Sequence, residues 1–259
     1  MFVISQQKVK SLAGALMLAL AAFSANAQDY TLVIKGGHVI DAKNNINEVM
    51  DVGIKDDKIV RVAKNIDAKG AQVVDAKGLY VTPGLIDIHS HNFYGTEEDH
   101  YLSNGYTAVA PDEFTFRSGV TTVADAGGAG WKSFNKFKEQ TINHSDTRVF
   151  SFLNIVGEGM RGGAWEQNLN DMDAKATATV VKAHKEIVGI KVAHYMGAEW
   201  EPVDRAVQAG TSANVPVMID FGGQHSAAVN RGPLHEAPSS RRHLHPLLCA
   251  AQFARGDRR

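Results

Sequence analysis

The sequence predicts an α/β fold in which a small antiparallel β layer precedes βα units built around a parallel sheet. Short alternating strands fill residues 29 to about 82, and no helix-length stretch interrupts them. After Thr82-Pro83-Gly84 the pattern changes to buried apolar strands separated by helix-length segments, which is typical of βα units. The 259 residues are 44% hydrophobic and 21% charged, so the chain has enough apolar material for a folded core.

The β layer is predicted from short runs of β-branched and other apolar residues. Turns fall at residues 43–45 and 55–58, where Asn, Asp and Lys replace the apolar residues. The predicted strands are Thr31–Lys35, His38–Asp41, Met50–Lys55, Lys58–Ala63, Gln72–Asp75 and Leu79–Val81.

The second part contains five predicted strands and two well-marked helices. One helix covers Asp171–Val188, with capping carboxylates at its start and apolar residues at helical spacing. The other begins near Pro202 and ends at Gly210, because proline suits a first helical turn and glycine a C-terminal stop. The predicted strands are Leu85–His89, Thr121–Asp125, Val149–Ile155, Ile190–Ala193 and Val217–Phe221.

Composition restricts the partners and the metal chemistry. A net charge of −1 gives no electrostatic reason to expect nucleic acid or an anionic membrane as the main partner, so a small molecule is the better expectation. Cys249 is the only cysteine, which excludes an internal disulfide and a cysteine-based metal knuckle. Metal ligands must therefore be His, carboxylate or modified Lys. The sequence gives no indication of the oligomeric state.

Residues 1–27 are typical of a secretory signal peptide. Lys8 and Lys10 precede an apolar run at residues 13–23, and Ala25-Asn26-Ala27 supplies the small-x-small cleavage pattern. The run is shorter than the roughly 20 residues that a membrane-spanning helix needs. We therefore expect a periplasmic or secreted protein that begins near Gln28 and has no stable membrane insertion; a retained N-terminal anchor is the alternative.

The strongest chemical motif is His89-Ser90-His91, at the end of an apolar strand. Residues two apart in a strand project to the same side, so both imidazoles can reach one ion. A His-x-His pair alone fits hydrogen-bonded histidines equally well. Its position after Pro83-Gly84 at the end of a buried strand favours metal binding, because active sites of βα barrels lie at that end.

The stretch Pro83 to His91 resembles the amidohydrolase superfamily, whose members share Pro-Gly-Leu-Ile-Asp-x-His-x-His. Residues 33–41 and 78–82 resemble the β-sandwich portion that members place before a (β/α)8 barrel. The resemblance implies a partial (β/α)8 TIM-type barrel preceded by a small antiparallel β-sandwich portion. More narrowly, the chain is similar to the dihydroorotase-like and deacetylase-like branch. This implies hydrolysis of carbon–nitrogen bonds other than peptide bonds by metal-activated water, in a small cyclic amide or N-acyl substrate.

The resemblance also implies the metal ligands, with Zn²⁺ as the usual ion and other divalent metals as alternatives. His89 and His91 would bind the more buried of two ions. Lys191 would bridge both as a carboxylated lysine, because a carbamate supplies two anionic oxygens; a lysine that reaches water at a strand end is the alternative. Asp220 stands where many relatives carry a ligand histidine, and it is either a ligand or a cap of the following loop.

Two further residues are candidates for substrate contacts. His194 is a rival ligand of the second metal or a substrate contact, with an ordinary hydrogen-bonding loop histidine as the alternative. Arg161 follows the third strand and could bind a substrate carboxylate through two hydrogen bonds, with a solvated arginine as the alternative. The glycine-rich run 124–130 is predicted to end the second strand in a loop. The catalytic residue is unknown, because the Asp that relatives carry after the eighth strand has no counterpart here, nor does the His after the sixth.

The end of the chain has a different composition. Residues 225–259 contain no Lys, 6 Arg and 4 of the 11 His. A (β/α)8 barrel needs about 250 residues, whereas the stretch from Gly84 to Gly223 suffices for four units and a fifth strand. The expected segments are a signal peptide (1–27), a β-sandwich portion (28–82), an incomplete barrel (83–224) and an atypical tail (225–259).

The change from Lys to Arg in the last 35 residues suggests a frameshift or damaged coding sequence near residue 224, with a genuine basic tail as the alternative. Translation of the other two frames tests this hypothesis, which requires a continued barrel with a further His and an Asp. Two functional classes follow: a metal-dependent hydrolase whose activity belongs to a longer parent chain, and an inactive remnant that binds metal weakly or not at all. A β-rich binding module at residues 28–82 is disfavoured because so short a segment buries little surface.

Overall fold

The computed structural model describes residues 29–95, 97, 102–105 and 108–220. They form two compact units, one that ends at Pro83 and one that begins at Gly84. The predicted signal peptide, Phe221 and the predicted tail lie outside the described residues. Within the described part, no helix is long and apolar enough to cross a bilayer.

The first unit is a five-stranded sheet. Its strands are β1 (Leu32–Asp41), β2 (Ile46–Lys55), β3 (Lys58–Ala63), β4 (Gln72–Asp75) and β5 (Tyr80–Val81). β1, β2 and β3 form an antiparallel meander, and positive φ angles at Asn45, Asp56 and Asp57 allow its tight turns. β4 and β5 instead run parallel to β1, so the sheet is mixed, where the sequence predicted antiparallel pairing throughout. The chain crosses over between β3 and β4 and does not form a hairpin there.

A buried carboxylate connects three segments of this unit. Asp51 on β2 accepts hydrogen bonds from the N–H of Gly36 at 2.8 Å and of Ile66 at 2.9 Å, and from the Lys35 ammonium at 2.7 Å. Burial raises the pKa of Asp51, but Lys35 and the two N–H groups more than offset burial and hold the pKa below its ordinary value. The charged carboxylate therefore stabilises the folded sheet.

Asp51→Asn should lower the free energy of unfolding by about 2 kcal/mol at neutral pH, because hydrogen bonds to a charged group are worth roughly 1.5–3 kcal/mol. A depressed native pKa gives stability above the unfolded pKa of about 3.9, and this stability is lost as pH falls through the native pKa. The difference in the free energy of unfolding between wild type and variant should therefore become smaller in acid. Urea unfolding at neutral and strongly acidic pH measures it. Asp67→Asn, at an exposed carboxylate, is the control, and a gap that does not change with pH would contradict the prediction.

The second unit is a sheet of five parallel strands, curled into a half-barrel with helices, which confirms the predicted partial barrel. The strands are β6 (Leu85–Ser90), β7 (Val120–Gly130), β8 (Arg148–Asn154), β9 (Ile187–Ala193) and β10 (Val217–Asp220), hydrogen-bonded in the order β10-β9-β8-β7-β6. The α-helices are α1 (Phe134–Gln140), α2 (Gly163–Glu166), α3 (Ala174–Ala183) and α4 (Glu201–Ala213). Short 3-10 turns lie at Ala42–Asn44, Pro111–Glu113, Phe116–Ser118, Ile142–His144 and Leu169–Asp171.

The core of this unit lies between one face of the sheet and the helices. Leu153 and Ile190 from the strands pack with Phe137 of α1 and Val207 of α4, and all four are buried. Neighbouring strand residues face the other way, because side chains alternate along a strand. They form a smaller cluster of Ala124, Ala126, Phe152 and Met218. The core thus fixes the strands whose carboxyl ends carry the site.

The structure corrects several predicted boundaries, including the end of α4, which continues past the predicted stop at Gly210 as far as Ala213. Helix α3 is shorter than the predicted Asp171–Val188, because Asp173 caps its start and the chain leaves the helix at His184. Ile187 and Val188 begin β9, since Ile187 pairs with Ser151 on β8. The glycine-rich run predicted as a loop continues β7 as far as Gly130, with a register shift. Pairing with neighbouring strands therefore determines the end of α3 and the extent of β7, against the local sequence pattern.

Candidate metal centre

Four predicted ligands lie together at the carboxyl ends of three parallel strands. His89 and His91 stand at the end of β6, Lys191 near the end of β9 and Asp220 at the end of β10. The Oδ2 atom of Asp220 lies 3.1 Å from Nζ of Lys191 and 3.6 Å from Nε2 of His89. The ring centroids of His89 and His91 are 5.6 Å apart. The structure thus brings these four side chains to one place.

Lys191 is completely buried, so the alternative that it reaches water is wrong. Besides Asp220, its ammonium contacts Sδ of Met218 at 3.6 Å. Burial lowers the pKa of Lys191, and Asp220 opposes this effect only in part. Gly127, with φ +91°, makes room for the lysine, because a Cβ atom there would lie 2.6 Å from Cγ of Lys191.

The two histidines have the properties of cation ligands. Burial, followed by the nearby Lys191 ammonium, lowers the pKa of His89. Burial also lowers the pKa of His91, although Asp125 opposes the effect. Nδ1 of His91 is buried and has no hydrogen-bond partner among the described residues. A neutral imidazole with an unpartnered nitrogen fits a divalent cation.

Asp220 contributes an anionic oxygen to this donor set. Burial raises the pKa of Asp220, but the Lys191 ammonium more than offsets burial, so the net shift is downward. The carboxylate contacts Lys191 and His89, and the loop that it was alternatively predicted to cap lies outside the described residues. Within residues 29–95, 97, 102–105 and 108–220, no three His, Cys, Asp or Glu side chains are already arranged to bind a metal ion.

Asp125 supports the histidine pair and was not predicted as a site residue. It is completely buried on β7 and accepts hydrogen bonds from the N–H of Asn92 at 2.7 Å, of Phe93 at 3.3 Å and of Gly128 at 2.6 Å. Burial raises the pKa of Asp125 despite these donors. The bonds from Asn92 and Phe93 hold the chain directly after His91 against β7. A lone carboxylate at the end of a predicted apolar strand was the signal that could have identified Asp125.

His194 follows β9 and meets a carboxylate that the sequence analysis missed. Its Nδ1 atom lies 3.0 Å from Oε2 of Glu166, and this hydrogen bond raises the pKa of His194 while burial opposes it. Glu166 lies on α2, which has four residues and therefore too few for a periodic sequence signal. The structure thus places His194 beside the centre with a fixed partner.

Arg161 is paired with protein carboxylates. Its guanidinium contacts Glu97, lies 3.4 Å from Glu158 and stacks 4.2 Å above the ring of Trp165. The side chain is only 14% exposed, so the solvated alternative is wrong. Its predicted contact with a substrate carboxylate stays a prediction, and the substrate would have to displace one of these partners.

Comparison with known proteins identifies several relatives, although no family model matches the chain. A deacetylase from Brucella anthropi is 30% identical over 177 residues, which are 65% of this chain and 42% of the deacetylase. A dihydroorotase from Lactococcus lactis subsp. lactis is 51% identical over 86 residues, which are 33% of this chain and 20% of that enzyme. The crystal structure of an adenine deaminase matches with a TM-score of 0.63 and 28% identity, over 75% of this chain and 51% of that protein.

The chain therefore spans less than half the length of these two curated relatives. Their similarity agrees with the parallel half-barrel and with the motif from Pro83 to His91. The relatives and structural neighbours that this chain resembles belong to the amidohydrolase superfamily.

Proposed function

We propose that the protein is a metal-dependent hydrolase that cleaves a carbon–nitrogen bond other than a peptide bond, in a small cyclic amide or N-acyl compound. The observation that carries the proposal is the grouping of His89, His91, Lys191 and Asp220 at the carboxyl ends of three parallel strands. Catalytic groups of βα barrels lie at that end. The names deacetylase and dihydroorotase, given to the relatives, support the substrate class.

These four side chains would hold the cation, which we propose to be Zn²⁺, with two ions bridged by a carboxylated Lys191. Imidazole and carboxylate ligands suit zinc. Nδ1 of His91, which is buried and has no hydrogen-bond partner within the described part of the chain, and the buried Lys191 both fit a site that gains a charged group. The bound metal would supply Lewis-acid activation of the substrate carbonyl and of water.

The remaining residues would orient the ligands and the substrate. Asp125 holds the backbone after His91 and so fixes that ring relative to the sheet. Arg161 would contact a polar group of the substrate from the loop after β8. We further propose that the signal peptide directs the protein to the periplasm or out of the cell.

Replacing both His89 and His91 with Ala should remove bound zinc. A chelator removes bound metal from the full chain, zinc is then added back, and dialysis removes the free zinc. Elemental mass spectrometry measures the zinc that remains bound. We expect about two zinc ions per chain for the wild type and loss of the metal from the double variant, because imidazole supplies the neutral nitrogen donors. His38→Ala, in the first unit, is the matched control. Hydrolysis of cyclic amides and N-acyl compounds is assayed on the same samples.

Equal zinc content in the wild type and the double variant would overturn the metal site. Zinc binding that depends on both histidines but is accompanied by no hydrolysis would leave the metal site and overturn the catalytic proposal for this chain.

A further inference from the structure

Two adjacent side chains clamp the turn that carries His194. Oε2 of Glu166 meets Nδ1 of the His194 ring at 3.0 Å. The amide of Gln167 donates to the carbonyl of His194 at 3.0 Å and accepts from the N–H of Met196 at 2.8 Å. The N–H of His194 donates to the carbonyl of Asp220 at 2.8 Å. The ring, the backbone on both sides of it and β10 are therefore connected.

The backbone at His194 is unusual and needs this support. Its φ is +50°, in the left-handed region that residues other than glycine rarely adopt. Such conformations persist where the surrounding structure determines them, and they cluster at functional sites. Glu166 is itself fixed, because its side chain is only 4% exposed and its Oε1 atom accepts from the N–H of Gly162 at 3.1 Å.

The contact with Glu166 uses Nδ1 of His194 and does not involve the second ring nitrogen, Nε2. Nδ1 is occupied by Glu166, whereas the side chain of His194 as a whole is 45% exposed. Asp220 raises and Lys191 lowers the pKa of His194, and His194 in turn lowers the pKa of His91. The backbone hydrogen bond to Asp220 places His194 next to the centre, and no hydrogen bond among the described residues uses Nε2.

We propose that Glu166 and Gln167 are positioning residues that present Nε2 of His194 to the metal centre as a nitrogen ligand beside Asp220. This inference rests on the proposed metal centre. Histidines that bind metals commonly donate their other ring N–H to a carboxylate, which fixes the tautomer and the ring orientation. Glu166 has that position, and Gln167 holds the strained backbone that carries the ring.

Titration of the metal-free full chain with Co²⁺ tests the inference, because the visible spectrum of Co²⁺ reports its ligands. His194→Ala and Glu166→Ala should weaken the binding of one Co²⁺ equivalent by about 10- to 100-fold and change its spectrum. Glu166→Gln retains an oxygen acceptor and should recover most of the affinity. A purely structural role for Glu166 would change thermal unfolding of the metal-free protein and leave the spectrum of bound Co²⁺ unchanged.

Glu186→Gln is the matched control. Glu186 is a largely buried carboxylate that pairs with Lys138 at 2.9 Å just before β9 begins, at the opposite end of the strand from Lys191. Its replacement should leave Co²⁺ binding unchanged. If Glu166→Ala does not fold, His194→Ala tests the ligand role of His194. A loss of Co²⁺ affinity in Glu166→Gln as large as that in His194→Ala would then contradict the proposed role of Glu166 as an oxygen acceptor.

Each unfavourable outcome has a distinct meaning. Wild-type binding and spectrum in His194→Ala would overturn the ligand assignment, even if replacement of His89 and His91 abolishes binding. Weakened Co²⁺ binding by His194→Ala together with wild-type Co²⁺ binding by Glu166→Ala would overturn the positioning role of Glu166. A wild-type chain that binds no Co²⁺ would overturn both this inference and the proposed metal site.

Discussion

Lys191→Met is expected to keep the fold and to lower the zinc affinity by more than about 100-fold. This loss exceeds the roughly 10- to 100-fold loss that follows removal of a residue that only hydrogen-bonds to a metal ligand. Methionine has an unbranched stem that fits the space of the completely buried lysine, so packing is preserved. The variant has no amine that could be carboxylated, and it leaves Asp220 without the ammonium that lies 3.1 Å from it. Competition with a chelator of known affinity measures the loss, and circular dichroism checks the fold.

Lys132→Met is the control for this experiment. Lys132 also pairs with carboxylates, Asp171 at 2.6 Å and Glu158 at 3.1 Å, but its side chain is 41% exposed. We expect wild-type zinc affinity in this variant. Carbon-13 NMR with labelled bicarbonate should show a carbamate in the zinc-loaded wild type and none in Lys191→Met. Wild-type zinc affinity in Lys191→Met would contradict the ligand role, and the absence of a carbamate signal from the wild type would contradict the bridge.

Gly127→Ala is expected to destabilise the second unit by about 3 kcal/mol and to weaken zinc binding. The new Cβ atom would lie 2.6 Å from Cγ and 2.9 Å from Cβ of Lys191. Overpacking of this kind costs about 1–3 kcal/mol, and a left-handed backbone at alanine adds about 1 kcal/mol. Displacement of the lysine stem would also move its amine away from Asp220. Urea unfolding and zinc competition measure the two effects.

Gly119→Ala separates backbone strain from the steric clash. Gly119 has φ +74°, and a Cβ atom there would meet nothing within 4 Å. We expect a loss of about 1 kcal/mol, from the backbone alone, and unchanged zinc affinity. Equal losses of stability in the two variants would show that Gly127 has no special relation to Lys191.

Much of the centre follows from local sequence patterns. His89 and His91 lie two apart at the end of an apolar strand, so their shared side could be predicted without tertiary information. Lys191 could likewise be assigned to a strand end. Its complete burial could not, because the space around its stem depends on Gly127 of another strand. The missing information was the packing between strands.

The other differences have the same origin. Residues 180–188 satisfy a helical pattern, and only the pairing of Ile187 with Ser151 assigns the end of this run to β9. The polarity of β4 and β5 depends on a crossover that turn residues do not specify. Glu166 acts on His194 from helix α2, 28 residues earlier in the chain, and nothing in the sequence around Glu166 indicates this partner.

The parallel arrangement of the strands would also determine when the proposed metal can bind. His89 and Lys191 are about one hundred residues apart in the chain, and a parallel sheet brings such distant segments together only after the intervening loops have closed. An emerging chain that has synthesised β6 alone offers a bare pair of histidines. Tight binding of the proposed metal would then require β9 and β10 to be in place. In contrast to a zinc finger, where the ion drives folding, the metal in this protein would be loaded onto an assembled scaffold.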